Sequence, residues 1–173
     1  MTYNAYDPRA LPRHALATLV AFAMMVLLAL APMQAQADSH GEMPEMVQVV
    51  PTGKSFAETL DTFRAEVAKA GWSILNENNM AGVLSARGYT IDPVMIIDVC
   101  SGQYSAQILG SDEARPISAF MPCRVSIYQT SDGEVYIARM NTEAFAPMLD
   151  PMVAEVMLAS DAEISAIIDA TVE

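Results

Sequence analysis

The chain has 173 residues, 53% of them hydrophobic and 17% charged, with a formal net charge of −12. That balance excludes a disordered chain and points to one compact domain preceded by an apolar segment. Nine basic residues against 21 acidic ones exclude nucleic acid as a partner, since phosphate binding needs a concentrated surplus of Lys and Arg.

The first elements are an address rather than a fold. Arg9 and Arg13 precede Ala15 to Ala31, a run of 17 residues without a charge. Pro32 breaks the run, and Ala35-Gln36-Ala37 places small residues at both recognition positions of a signal peptidase. A positive flank, an apolar core and an A-x-A ending together predict a secretory signal peptide over residues 1–37. An uncleaved anchor is the competing reading, but the run is near the lower limit for spanning a bilayer. The expected mature chain starts at Asp38, has no permanent membrane span and resides in the periplasm or outside the cell. It loses Arg9, Arg13 and Asp7, so its net charge becomes −13.

Residues 38–45 are polar and read as a loose arm. The remainder, 46–173, reads as a single domain long enough to bury its own core. Met46 to Val50 is a short strand ended by Pro51 and Gly53. Ser55, with Glu58 three residues on, is a capping box that opens a helix. Phe56, Leu60, Phe63 and Val67 recur on one helical face, and Gly71 stands where a left-handed residue ends a helix. Trp72 to Leu75 is a second strand, Asn76 to Asn79 a turn-rich cluster, and Met80 to Arg87 a brief helix. Met95 to Val99 is an apolar run typical of a central strand, and Gln103 to Leu109 a short helix. Cys123 to Tyr128 and Val135 to Met140 alternate in polarity on either side of Asp132-Gly133. That dipeptide tolerates positive φ at both central positions and predicts a tight hairpin. Asp150-Pro151 is an N-cap with a first-turn proline. A long or two-piece amphipathic helix follows, the spacing of Ser160 and Glu163 being that of a second capping box at which a break would fall.

This order of elements resembles the domain-of-unknown-function family 302. The likeness rests on Gly88-Tyr89 leading into Val94 to Cys100, on Met121-Pro122-Cys123-Arg124 feeding a strand, on the Asp132-Gly133 turn and on Arg139-Met140-Asn141. It covers about Val49 to the C-terminus. It implies an α+β fold: a two-layer α/β sandwich with a mixed or antiparallel sheet and helices on one face, related to the TATA-box-binding-protein-like group. It implies no activity, and a fold by itself carries no function.

Chemistry is restricted by what is scarce. His14 lies in the signal peptide, so the domain core contains no histidine. A Ser-His-Asp or Cys-His hydrolase has no base, and a zinc or haem site has no imidazole unless His40 folds back. Cys100 and Cys123 have 22 residues between them and lie in an expected exported, oxidising setting. They form a structural disulfide that would stabilise by roughly 3 kcal/mol, a redox-active pair, or two buried free thiols. Cleavage after Ala37 would also expose Asp38-Ser39-His40. The terminal amine, two backbone amides and the His40 imidazole can enclose Cu(II) or Ni(II) in a square plane.

Nine of the 13 methionines lie in the mature chain. Thioethers favour Cu(I), but methionine also fills cores and grooves. Core or groove packing is expected for Met80, Met95, Met140 and Met157, whereas Met121 is a candidate to line a pocket with Cys123. Arg124 and Arg139 are candidates for a pocket or surface anion site. No residue is assigned as catalytic. The sequence therefore supports a non-enzymatic binding or accessory module, with copper as a candidate cofactor and an unidentified protein or small ligand as partner. The alternatives are a thiol–disulfide redox protein using Cys100 and Cys123, and an interaction module acting as a homodimer.

Overall fold

The computed structural model describes residues 46–173. The expected signal peptide, its cleavage site and the arm carrying Asp38, Ser39 and His40 lie outside the described residues.

The chain forms β1 (Val47–Pro51), α1 (Phe56–Lys69), β2 (Ser73–Asn79), α2 (Met80–Ser85), β3 (Val94–Cys100), α3 (Gly102–Leu109), β4 (Cys123–Gln129), β5 (Val135–Met140), α4 (Thr142–Phe145) and α5 (Pro151–Val172). Short 3-10 turns span Arg115–Phe120 and Ala146–Met148. The five strands make one sheet in the order β1-β5-β4-β3-β2. Every neighbouring pair is antiparallel, so the expected α+β class holds and the mixed-sheet alternative falls away. Among the described residues, no helix is long and apolar enough to cross a membrane.

Strand alternation gives the sheet two different faces. Register sets Ile97 opposite Val125 and Ile127 opposite Ile137, all on one face. Leu60, Phe63 and Val67 of α1 and Ile164, Ile167 and Ile168 of α5 pack on those residues in a single core. The helix α1 starts where Ser55 Oγ accepts from the Glu58 amide at 3.3 Å. It ends where Gly71 takes φ +76°, and the Trp72 amide reaches back to the Val67 carbonyl at 3.0 Å. The other sheet face carries the stacked rings of Tyr128 and Tyr136, paired across the β4–β5 hairpin at 5.5 Å between centroids.

The structure changes two local expectations and fills in two segments left open. Asn76 to Asn79 is not a turn but the second half of β2, paired with Asp98, Ile97, Ile96 and Met95 of β3. Edge pairing overrides the weak strand propensity of Asn, and a bulge between Ile74 and Asn76 absorbs the irregularity. The hairpin is wider than a two-residue loop. The Gly133 amide donates to the Thr130 carbonyl at 2.9 Å, and Gly133 alone takes positive φ, at +93°. Of the long and the two-piece helix, the long one forms: α5 runs unbroken for 22 residues, with Ser160 buried in its interior. Finally, the 3-10 turn Arg115–Phe120 and the helix α4 occupy segments that periodicity alone leaves as loop.

Glu163 of α5 clamps Trp72, in the turn between α1 and β2, and Tyr104 of α3. Its carboxylate accepts from Trp72 Nε1 at 2.8 Å and from the Tyr104 hydroxyl at 2.6 Å. The Tyr104 bond first, and the Trp72 bond second, hold the Glu163 carboxyl below its ordinary range. A depressed native pKa means that this contribution is present above the unfolded glutamate value and is lost as pH falls through the lower, native one. Trp72 is the only tryptophan in the chain, so its fluorescence reports the clamp. In Glu163→Gln the acid-induced change in Trp72 emission is expected to vanish, with no more than about 1 kcal/mol lost at neutral pH because solvent screens this exposed carboxylate. An unchanged acid titration in that variant would mean that Trp72 responds to another group.

Candidate functional site

The site is built where β3, β4 and β5 run out beneath α3 and α5. Val99 of β3 stands opposite Cys123 of β4. Cys100, the last residue of β3, is therefore offset from Cys123 by one position on the neighbouring strand. Ser101 turns the chain into α3, and Cys100 Sγ comes within 3.0 Å of Ser105 Oγ on the first turns of that helix. Cys123 Sγ lies 3.9 Å from Ser160 Oγ of α5. Neither cysteine is in a disulfide. Both face a single cavity of about 260 Å³, which also exposes Met121, Met140, Met157, Tyr104, Phe120, Arg139 and Asp161. Pockets for drug-sized ligands usually start near about 300 Å³, so this one suits a small ligand.

Its outer wall is a second, smaller core. Ile108, Ala114, Val153 and Val156 are buried together, with Met121 and Met157 packed against them. The chain between β3 and β4 thus folds into α3 and a 3-10 turn over the start of α5, and leaves space between this excursion and the sheet. The clamp at Glu163 fixes Tyr104, hence α3, against α5.

The cavity's polar end is an ion pair. Arg139 Nη1 donates to Asp161 Oδ1, and Arg139 Nη2 donates to Ser165 Oγ at 2.7 Å. The side chains of Arg139 and Asp161 are only 10% and 11% exposed. Arg124 is placed differently. Register sets Val125 opposite Arg139, so Arg124, one residue earlier, points to the opposite sheet face. There its Nε donates to Asp98 Oδ1 at 3.0 Å, with the arginine side chain 66% exposed. The two arginines do not form one anion site, although Arg124 is among the residues that line the cavity.

Burial pushes the Cys123 thiol above its ordinary pKa. The Ser160 contact opposes this, Cys100 and Asp161 add to it, and Arg139 opposes it weakly. Cys123 is thus protonated at neutral pH and a poor nucleophile until something stabilises its thiolate. Among the described residues, no three His, Cys, Asp or Glu side chains gather to hold a metal ion. The donors that do gather are sulfurs: both cysteines of the chain and three methionines. The disulfide alternative has a simple check. Protein purified without reductant and then unfolded is expected to release two reactive thiols, whereas none would mean that Cys100 and Cys123 are bonded.

Sequence reasoning paired Cys100 with Cys123 and Met121 with Cys123, but it did not add Arg139 to them, because nothing local sets β5's end beside β4's start. It missed Ser160 and Asp161 as cavity residues. Their signal was present: both interrupt the apolar stripe that runs from Val153 and Val156 to Ile164 and Ile168.

The family model described as "Domain of unknown function DUF302" matches residues 48–171. A solved structure, described as an uncharacterized conserved protein DUF302 from Bacillus stearothermophilus, is similar with a TM-score of 0.67 and 22% identity. The similarity covers 74% of this chain and 99% of that one, and at this identity it bears on fold alone. No curated protein matches the chain.

Proposed function

The chain belongs to the family described as Domain of unknown function DUF302, and from that premise we propose that it is an exported, non-enzymatic binding module whose ligand site is the cavity between the sheet end, α3 and α5. One observation carries this reading. Both cysteines and three methionines of a two-layer domain converge on a single cavity of about 260 Å³ with a buried ion pair at one end. A fold that only needed stability would close such a space, because each void forfeits packing energy. The export half of the proposal rests on the Arg-flanked apolar run and Ala35-Gln36-Ala37. A thiol–disulfide exchanger draws less support from the same residues. Burial withdraws the Cys123 thiolate that exchange would require.

The test is native mass spectrometry of protein recovered from the periplasm of an expressing bacterium. The expected result is a chain beginning at Asp38 that carries a bound species removed on denaturation. Ser160→Leu fills the cavity from α5, and the variant is expected to lose that species while keeping Trp72 emission. Retention of the same species by a folded Ser160→Leu protein would refute the cavity as the site. Recovery of full-length chain in the cytoplasm would refute export.

A further inference from the structure

We propose that the cavity is a soft-metal site in which Cys100 and Cys123 hold a monovalent copper ion, with the thioether of Met121 or Met157 as a third donor. This rests on the reading of the cavity as the ligand site and names what it takes. The donor set selects the ion. Thiolate and thioether sulfurs are soft ligands that favour Cu(I), whereas carboxylates and imidazoles suit harder or borderline ions. No imidazole exists in the domain. The nearest carboxylate, Asp161, is committed to Arg139. An iron–sulfur cluster wants four cysteines, and the chain has two. Cu(I) is satisfied by two or three sulfurs, the number this cavity offers.

The surroundings are those of a built site. Cys100 at the end of β3 and Cys123 at the start of β4 both line the cavity, with Cys100 Sγ held toward α3 by Ser105. Ser105 Oγ, at 3.0 Å from Cys100 Sγ, can orient that sulfur from outside the donor set, as hydroxyls do around bound metals. Met121 and Met157 pack against the small second core and also line the cavity. The binding step is an exchange without electron transfer. Two S–H bonds break, two sulfur–copper bonds form, and both protons leave to solvent.

The experiment is an anaerobic Cu(I) titration of the mature protein against bathocuproine disulfonate as competing chelator. The wild type is expected to take a single ion from the chelator. Losing a group that merely supports a ligand costs about 10–100-fold in metal affinity, so Cys100→Ser with Cys123→Ser is expected to weaken binding by more than about 100-fold. Equal affinity in that double variant would overturn the proposal. A second readout does not depend on the variant folding. With 13C-methyl methionine and Ag(I) as a redox-inert probe, the wild-type Met121 and Met157 methyl signals are expected to move, and those of exposed Met148 and Met152 to stay. Movement confined to Met148 and Met152, or no uptake of Cu(I) by the wild type, would also overturn it. If Cu(I) fails to bind but Ser160→Leu still abolishes a co-purifying organic species, the metal assignment falls and the cavity reading stands.

Discussion

Asp161→Ala is expected to lower the unfolding free energy by about 3–5 kcal/mol, the cost of stranding one member of a buried ion pair. Asp161 and Arg139 are both nearly removed from water at the polar end of the cavity. Deleting the carboxylate leaves the Arg139 guanidinium with Ser165 Oγ, at 2.7 Å, as its main remaining side-chain partner. One neutral hydroxyl cannot replace both the charge and the hydration that the guanidinium has given up. The paired replacement Arg139→Met with Asp161→Leu removes both charges at once and is expected to recover most of the loss, since no unpaired ion is left behind. Urea unfolding monitored by Trp72 reads both variants. A loss below about 1 kcal/mol in Asp161→Ala, the range of an exposed salt bridge, would mean that water reaches this pair freely.

Phe63→Ala should cost a similar amount for an unrelated reason. Phe63 is fully buried at the centre of the contact between α1, the sheet and α5. Truncation removes its transfer energy and leaves a void that the sheet and two helices cannot close, about 3–5 kcal/mol in total. Phe120, the same residue type at the cavity, is 54% exposed. Phe120→Ala is therefore expected to change stability by no more than about 0.5 kcal/mol. Equal losses at the two positions would contradict the assignment of the core to the α1–α5 face of the sheet.

Much of this fold was legible because its signals are local. The spacing of Phe56, Leu60, Phe63 and Val67 marks the buried face of α1, and Ser55 and Gly71 mark its ends. Alternation around Val125, Ile127, Val135 and Ile137 identifies β4, β5 and their core side. The misreadings share a different cause. Asn76 to Asn79 has the composition of a turn, and only its pairing with β3 makes it a strand. Ser160 and Glu163 have the spacing of a capping box, yet tertiary contacts claim both: Ser160 faces Cys123, and Glu163 binds Trp72 and Tyr104. Arg124 and Arg139 look alike in sequence, but register sends them to opposite faces with separate acidic partners. Of the cavity, only the pairing of Met121 with Cys123 and of Cys123 with Cys100 was legible, for the same reason. Its sulfurs come from β3, the residues before β4, the end of β5 and α5, and no one segment contains its pattern. What sequence did supply was the inventory: no histidine within residues 46–173, a pair of cysteines and a surplus of methionine.

The most direct measurement of the central claim is the electron density of crystals grown from protein recovered in mature form from the periplasm. The account predicts density for a bound species inside the cavity, in contact with Cys123 Sγ and between β4 and α5. A bound species seated on the opposite sheet face, beside Tyr128 and Tyr136, would contradict it, as would a cavity closed by collapse of Met121 and Met157 onto the two thiols.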